Sequence, residues 1–267
     1  MITVSQLHIY PLKSAQSIPV TNAGFDAEGM LNDRRLMAVD EKGIFITARS
    51  TPELLHLSCQ IDSNGWKLSH PAQDSSCTIP SIEFQATPTQ LTGQVWRDEI
   101  NAIDAGDEAA AWLSEILGQT ARIALWKPNA RRSGKYNLET SFADEAPILI
   151  ASEASMKQGC NWGGIPYDTR RFRPNIVIDG IEAFAEESWK EIQIGDVKFE
   201  VLDICVRCIL TTRDPDTGIA HPEKQPMKAL MEMHSNDAGQ PLMGINVRLA
   251  SEIETAIVSI GDKVSFS

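Results

Sequence analysis

Short apolar runs separated by turn residues fill the first hundred residues of the chain. Runs of this length, bounded by turns such as Lys42-Gly43, predict β-strands rather than helices. The strands predicted here cover residues 4–9, 36–39, 44–47, 57–61, 66–68 and 82–86. Strands that follow one another this closely are typical of a small barrel or a curled sheet.

A helical pattern of apolar residues follows at residues 107–117. Ala109, Trp112 and Leu113 fall on one face at helical spacing, and Gly118 is a suitable C-terminal stop. We therefore predict one well-defined helix in this half of the chain.

The region after this helix holds the predicted domain boundary. A strand is predicted at residues 123–126, and the polar residues 128–140 indicate a long surface loop. We place the boundary near residue 120, so that the domains cover residues 1–120 and 121–267.

The second half of the chain again favours strands over helices. An apolar run at residues 147–150 leads into a helix whose N-cap is predicted to be Ser152. Further strands are predicted at residues 175–178, 189–194, 197–202, 208–212, 244–249 and 257–266, and a further helix at residues 227–234. Because strands and helices do not alternate regularly, the pattern predicts a β-rich α+β fold rather than repeated βαβ units.

The charge balance restricts the partners of the chain. With 24 Lys and Arg against 36 Asp and Glu, the net charge is −12 at pH 7. Such an acidic chain is not expected to bind nucleic acid or an anionic membrane. No window approaches the roughly 20 apolar residues of a membrane-spanning helix, and the N-terminus lacks the basic and apolar regions of a secretory signal. We expect a cytoplasmic protein whose five cysteines are reduced thiols.

The common catalytic motifs are missing from the chain. It contains no glycine-rich nucleotide-binding motif, no H-E-x-x-H zinc motif and no G-x-S-x-G nucleophile motif. The five histidines are scattered, so structural roles are favoured for them over metal binding. These absences argue against a phosphate-loop ATPase, a Rossmann dehydrogenase and a zinc protease.

The run Cys205-Val206-Arg207-Cys208 is the most specific local feature. A single C-x-x-C pair cannot fill a four-cysteine zinc site, and the β-like run after it is not the helix of a thioredoxin-type redox site. Arg207 beside Cys208 would stabilise a thiolate, the form that nucleophiles and metal ligands need. The alternative is that both cysteines are small apolar residues buried in a strand, and this feature alone gives the two interpretations about equal weight.

Arginines cluster although the chain is acidic. The clusters are Arg34-Arg35, Arg131-Arg132 and Arg170-Arg171-Phe172-Arg173. Clustered guanidinium groups repel one another unless an anion or carboxylates compensate them, and their planar shape suits phosphate. Ion pairs with acidic residues are the simpler explanation for any single cluster. Together with Cys208, the clusters favour a site for a phosphorylated cofactor near a thiolate.

These residues belong to segments that resemble the MOSC proteins, named after the C-terminal domain of molybdenum cofactor sulfurase. The chain is most similar to the branch that contains the mitochondrial amidoxime reducing component and bacterial YcbX-type proteins. The matching segments are Ile9-Tyr10-Pro11-Leu12-Lys13-Ser14, Asn32-Asp33-Arg34-Arg35, Thr47-Ala48-Arg49, residues 142–155, Phe172-Arg173-Pro174-Asn175 and residues 207–218. They span nearly the whole chain, and the last of them is the most specific.

The resemblance implies an N-terminal β-barrel-like domain packed on a MOSC β-barrel domain, with a pyranopterin molybdenum cofactor bound between them. It implies that Cys208 is the protein ligand of molybdenum, for which a soft thiolate is chemically suited. The cofactor-binding residues that it implies are Lys13, Ser14, Arg34, Arg49, Glu145, Ala146, Ser152, Arg173, Asn175 and Arg207. The chain departs from its relatives at Ala146, where some carry a hydroxyl residue, and near Gly244, where some carry an aromatic residue.

The resemblance also implies a reductase that converts small N-hydroxylated compounds, such as hydroxylamines, amidoximes and N-hydroxylated bases, to their reduced forms. No cysteine follows Cys208, so we expect no iron–sulfur cluster in this chain and a separate electron donor of the ferredoxin or flavin type. The alternative is a carrier of sulfur or of molybdenum cofactor, in which Cys208 bears a persulfide or anchors the cofactor transiently. A structural protein that has lost the cofactor is least favoured.

Overall fold

The computed structural model describes residues 1–71, 73–85, 87–127, 135–136, 138, 140–251 and 256–267. Its strands are β1 (Thr3–Ile9), β2 (Ile18–Val20), β3 (Asn22–Asp26), β4 (Gly29–Met30), β5 (Leu36–Val39), β6 (Ser58–Asp62), β7 (Gly65–Ser69), β8 (Ser76–Pro80), β9 (Gln90–Val95), β10 (Asp98–Asp104), β11 (Arg122–Trp126), β12 (Ile148–Ser152), β13 (Ile176–Asp179), β14 (Glu191–Ile194), β15 (Val197–Val206), β16 (Leu242–Leu249), β17 (Ile257–Ser259) and β18 (Val264–Phe266). The α-helices are α1 (Asp107–Leu117), α2 (Glu153–Trp162) and α3 (Met227–Met233). Short 3-10 helices cover Pro52–His56, Ile82–Phe84, Thr169–Arg171, Ala185–Ser188 and Ile209–Thr212. The predicted β-rich α+β class is confirmed.

The chain forms two compact units that interleave along the sequence. The C-terminal unit consists of Met1–Ile9, Pro19–Leu31 and Ala146–Ser267, and the N-terminal unit of Tyr10–Ile18 and Asn32–Glu145. The predicted boundary near residue 120 stays a prediction. Across the described ranges, every helix is too short or too polar to cross a bilayer.

The C-terminal unit contains a sheet with the strand order β18-β14-β15-β16-β12-β13-β1-β2, and a second sheet with the order β17-β3-β4. β12 and β13 pair in parallel, whereas β13 pairs antiparallel with β1 and β12 with β16. β12 and β13 are buried at nearly every position, which is the pattern of strands covered on both sides. One core cluster under α2 consists of Ala151, Met156, Cys160, Phe172, Val177, Leu230 and Met243.

The helix boundaries in this unit follow the sequence pattern closely. The Ser152 hydroxyl accepts a hydrogen bond from the Ser155 amide at 3.0 Å, so Ser152 is the N-cap of α2, as predicted. The predicted helix at residues 227–234 is α3.

The N-terminal unit is built on the sheets β5-β11-β10-β9 and β6-β7-β8. Its core cluster consists of Met37, Val39, Val95, Ile100, Ala102, Ala124, Trp126 and Phe142. The helix α1 buries Trp112, Leu113 and Leu117, and it ends at Gly118 in the left-handed conformation (φ 62°). The predicted helix and its stop are therefore both confirmed.

Several predicted strands are wrong. Residues 208–212 contain the 3-10 helix Ile209–Thr212, because the hydroxyls of Thr211 and Thr212 donate back to the Cys208 and Ile209 carbonyls at 3.0 and 2.8 Å. Such back-bonding tightens the chain and competes with strand pairing. The apolar run at 82–86 likewise contains the 3-10 helix Ile82–Phe84.

Two further strand predictions need correction. Residues 44–47 contribute only the isolated bridges of Ile44 and Phe45 rather than a strand. The run at 257–266 is split into β17 and β18 by a turn at Gly261. The φ of this residue is 91°, a conformation that glycine adopts at little cost in free energy. Most of the predicted loop at 128–140, with Arg131 and Arg132, lies outside the described residues.

Candidate functional site

Cys208 lies directly after β15, at the start of the 3-10 helix Ile209–Thr212. Its backbone is extended (φ −115°, ψ 174°), and its carbonyl accepts from the Thr211 amide and hydroxyl at 3.1 and 3.0 Å. The side chain is half-buried. Among the described residues none hydrogen-bonds to its thiol. The main chain at Cys208 is thus fixed while the sulfur keeps its bonding capacity.

Arg207 contacts Cys205 rather than Cys208. Its Nη1 donates to the Cys205 sulfur at 3.0 Å, and its Nη2 donates to the Phe172 carbonyl. Successive side chains of an extended chain point to opposite faces, so residues two apart share a face and adjacent residues do not. The contacts of Arg207 therefore do not include the Cys208 thiol, which it was expected to stabilise as a thiolate. The positive charge is fixed beside Cys205 instead.

The remaining cysteines offer no reactive thiol. Cys59, Cys77 and Cys160 are buried, and burial raises the pKa of Cys59 to about 12 and that of Cys77 to about 11. Burial also raises the pKa of Cys160. Only Cys205 and Cys208 are partly exposed, which leaves them as the candidates for thiolate chemistry.

Two arginines hold the segment 168–172 against the loop that follows Cys208. The Nη1 atom of Arg171 donates to the carbonyls of Thr211 and Arg213 at 3.3 and 2.6 Å. Arg170 forms a bidentate pair with Asp216 at 2.6 and 3.0 Å. Arg171 Nη2 also lies 3.6 Å from Asp214 Oδ2, so both arginines have the acidic partners that the simpler ion-pair explanation proposed. Their contacts brace the loop that carries Cys208.

Arg173 and Asn175 continue the same segment toward β13. Arg173 has left-handed backbone (φ 57°), which is uncommon for a residue with a side chain and costs free energy. Asn175 is buried, with its Oδ1 accepting from the Leu149 amide at 3.1 Å and its Nδ2 donating to the His8 carbonyl at 3.3 Å. The Asn175 side chain thus bridges three chain segments of the C-terminal unit.

The Ser152 hydroxyl forms hydrogen bonds within the C-terminal unit. Besides capping α2, its Oγ lies 2.6 Å from the Ser155 hydroxyl, and its amide donates to Glu186 Oε1 at 2.9 Å. Glu186 is fully buried and also accepts from the Ser155 hydroxyl at 2.8 and 3.0 Å. These contacts give Ser152 a structural role in the described part of the chain.

The N-terminal unit holds the other predicted site residues except Ala146, which begins the last segment of the C-terminal unit. Main-chain hydrogen bonds from Arg34 to Tyr10 (2.8 Å) and from Lys13 to Leu36 (2.8 Å) place Lys13 and Arg34 on adjacent segments. The Lys13 ammonium is buried and donates at 2.7 Å both to the Phe142 carbonyl and to Asp144 Oδ1. The structure thus brings Lys13 to a carboxylate that sequence reasoning missed.

Arg34 and Arg49 complete this group of cations. The Arg34 guanidinium pairs with Asp33 and lies 4.5 Å from the centre of the Tyr10 ring. Burial works against the charge of Arg34, but Asp33, together with Tyr10 and Asp144, outweighs burial and raises the pKa of Arg34. Arg49 donates to Asp144 Oδ2 at 2.8 Å. Lys13, Arg34 and Arg49 together form the cation cluster of the N-terminal unit.

The three other predicted site residues have different surroundings. Ser14 is buried next to Lys13 and has left-handed backbone (φ 73°). The half-exposed Glu145 carboxylate lies 3.7 Å from the Lys135 ammonium. Ala146 carries no polar side chain, so only its main chain is available for a hydrogen bond.

The donors in each unit suit the parts of a molybdenum pyranopterin. Lys13, Arg34 and Arg49 offer cationic N–H groups of the kind that binds phosphate. Cys208 offers a soft sulfur ligand. The Arg207 Nε atom is buried and, among the described residues, has no hydrogen-bond partner, which leaves a donor for a ligand. Each set of donors, taken by itself, therefore fits the part of such a cofactor that it would bind.

Comparison with known proteins identifies the protein family to which this chain belongs. The family model described as "MOSC N-terminal beta barrel domain" matches residues 1–120, and that described as "MOSC domain" matches residues 137–265. The mitochondrial amidoxime-reducing component 1 of Mus musculus is 35% identical over 85% of this chain and 70% of its own length. Its Homo sapiens counterpart is 34% identical over 89% of this chain and 74% of its own length.

A more distant relative shares only part of its length with this chain. The molybdenum cofactor sulfurase of Danio rerio is 28% identical over 98% of this chain and 34% of its own length. The chain belongs to the MOSC family, in the group that includes the mitochondrial amidoxime-reducing components. The resemblance seen in the sequence motifs and the predicted β-barrel domain types are confirmed.

Proposed function

We propose that this protein is a molybdenum-cofactor-dependent reductase of N-hydroxylated compounds, with Cys208 as the protein ligand of molybdenum. The observation that carries the proposal is the braced loop, which fixes the Cys208 main chain and leaves its side chain partly exposed and its thiol without a hydrogen bond among the described residues. The names of the relatives, amidoxime-reducing components, support the choice of substrate class.

The chain's own residues bind and orient the cofactor. Lys13, Arg34 and Arg49 bind its phosphate, and Arg173 and Arg207 donate hydrogen bonds to its pterin, with main-chain help near Ser14, Glu145 and Ala146. Asn175 and Ser152 act by holding the strands on which these groups lie. When bound, the cofactor supplies a metal that accepts the substrate oxygen and takes electrons from a separate ferredoxin- or flavin-type donor. We place the protein in the cytoplasm.

Metal analysis together with an activity assay tests this function. The protein is made in a host that synthesises the cofactor, its molybdenum content is measured, and reduction of an amidoxime is followed with a chemical electron donor. Molybdenum with turnover supports the reductase. A persulfide on Cys208 without molybdenum would overturn it in favour of the sulfur carrier, the activity suggested by the name of the sulfurase relative.

Arg173→Lys is expected to weaken cofactor retention by about 1–3 kcal/mol, the scale of one charge-assisted hydrogen bond. Lysine keeps the charge and the same left-handed backbone but lacks the planar fork of arginine. Molybdenum and pterin per protein are measured after gel filtration, with Arg170→Lys as the control because Arg170 pairs with Asp168 and Asp216. Equal cofactor content in wild type and Arg173→Lys would remove Arg173 from the site.

A further inference from the structure

A carboxylate lies among the cations of the N-terminal unit. Asp144 Oδ1 accepts from Lys13 Nζ at 2.7 Å, and Asp144 Oδ2 accepts from Arg49 Nη2 at 2.8 Å. Both oxygens of this carboxylate are therefore bonded to cations. The Lys13 side chain is only 6% exposed, whereas that of Asp144 is 45% exposed. The Lys13 ammonium is therefore buried in the protein, while the Asp144 carboxylate that it binds is partly exposed to solvent.

Trp96 covers the same contact. Its indole Nε1 donates to Asp144 Oδ1 at 3.3 Å, and the Arg49 guanidinium lies 4.7 Å from its ring centre. Trp96 is 49% exposed and has left-handed backbone (φ 55°), a conformation that is unfavourable for a bulky residue. An exposed aromatic residue in such a conformation is maintained by its surroundings, here Phe45 at 5.3 Å and Arg49.

The charges around Asp144 keep it ionised. Although the Asp144 carboxylate is partly exposed, the protein around it removes part of its hydration, which acts to raise its pKa. The positive charges of Lys13 and Arg49, the Lys13 hydrogen bond and the charge of Arg34 together outweigh this loss of hydration. The pKa of Asp144 therefore lies below its ordinary value, and the carboxylate carries a full negative charge at neutral pH.

A phosphate group needs the same donors that Asp144 uses. Carboxylates and phosphates are recognised by the same ammonium and guanidinium N–H groups. We propose that Asp144 is an internal competitor for the phosphate of the bound cofactor: its carboxylate occupies Lys13 and Arg49 in the unloaded protein and must release them when the phosphate binds. The identity of the anion rests on the proposed function, whereas the competition rests on the contacts alone.

This role predicts the sign of a substitution. If Asp144 mainly arranged Lys13 and Arg49 for the anion, removing its charge would weaken anion binding. If it competes, removing its charge strengthens binding, because an anion then enters a site with one fewer negative charge. A like charge a few ångströms away near a protein surface changes an equilibrium by roughly tenfold or more. We expect Asp144→Asn to bind phosphate about tenfold more tightly.

The experiment titrates inorganic phosphate into the full chain prepared in a host without the cofactor. Binding is followed by calorimetry and by tryptophan fluorescence, to which Trp96 contributes. Asp216→Asn is the matched control, since it removes a carboxylate that also pairs with an arginine, Arg170. It should leave phosphate affinity unchanged. In the double variant Lys13→Met/Asp144→Asn the gain should be lost, because Lys13 is one of the released donors.

The outcomes separate this proposal from the proposed function. Tighter phosphate binding by Asp144→Asn supports the competition even if the wild-type protein made in a cofactor-producing host contains no molybdenum, a result that would overturn only the reductase. Unchanged, weaker or undetectable phosphate binding by Asp144→Asn overturns the competition, whatever the molybdenum content. If a thermal melt finds Asp144→Asn unfolded, Asp144→Ser removes the same charge and takes its place in the titration.

Discussion

Cys208→Ala is expected to abolish molybdenum-dependent turnover and molybdenum retention, whereas Cys205→Ala retains most of both. The reason is that the two thiols differ in their hydrogen bonding. The Cys205 sulfur already accepts from Arg207 Nη1 at 3.0 Å, while the Cys208 sulfur has no hydrogen-bond partner in the described part of the chain. Loss of a residue that merely supports a metal ligand costs about 10–100-fold, so loss of the ligand itself should cost more.

Turnover with a chemical electron donor and molybdenum per protein measure both variants. We expect turnover to fall more than about 100-fold in Cys208→Ala and less than about tenfold in Cys205→Ala. Thermal melts of the unloaded proteins serve as the control for folding. Equal losses in two folded variants would contradict this assignment and point to a disulfide or a shared metal site.

The features of this fold that the sequence predicted are local ones. The helix α1 was predictable because apolar residues at helical spacing and Gly118 act within one segment. The Ser152 cap was predictable for the same reason. The strand prediction at 208–212 failed because the hydroxyls of Thr211 and Thr212 bond to carbonyls three residues back, a choice that apolar patterning does not reveal.

The candidate site was only partly predictable. The arginine cluster was visible, but sequence alone could not tell which side chain turns inward. Arg171 is buried and donates to main-chain carbonyls as well as lying near Asp214, whereas Arg170 pairs with carboxylates at the surface. The pairing of Asp144 with Lys13 could not be predicted, because the two residues are 131 positions apart in the sequence. Such long-range pairings depend on the packing of distant segments. Its position within the matching segment 142–155 was the one available indication.

Arg171→Met is expected to destabilise the C-terminal unit by about 3 kcal/mol, far more than Arg170→Met. The Arg171 side chain is only 8% exposed, and its Nη1 donates to the carbonyls of Thr211 and Arg213. Its replacement leaves those carbonyls without a charged donor, and hydrogen bonds to charged groups are worth about 1.5–3 kcal/mol each. Methionine fills part of the volume, so the cost is mainly the loss of these contacts.

Arg170 is the matched control because it is the neighbouring arginine with partners at the surface. Its side chain is 46% exposed, and its pairs with Asp168 and Asp216 are screened by solvent, so Arg170→Met should cost less than about 1 kcal/mol. Urea unfolding of the unloaded protein gives both values from the shift in midpoint at constant slope. Comparable losses would contradict the assignment of Arg171 as the main brace of the Cys208 loop. If Arg171 is that brace, Arg171→Met should also lower molybdenum retention, because the loop that presents the Cys208 thiol loses its anchor at Thr211 and Arg213.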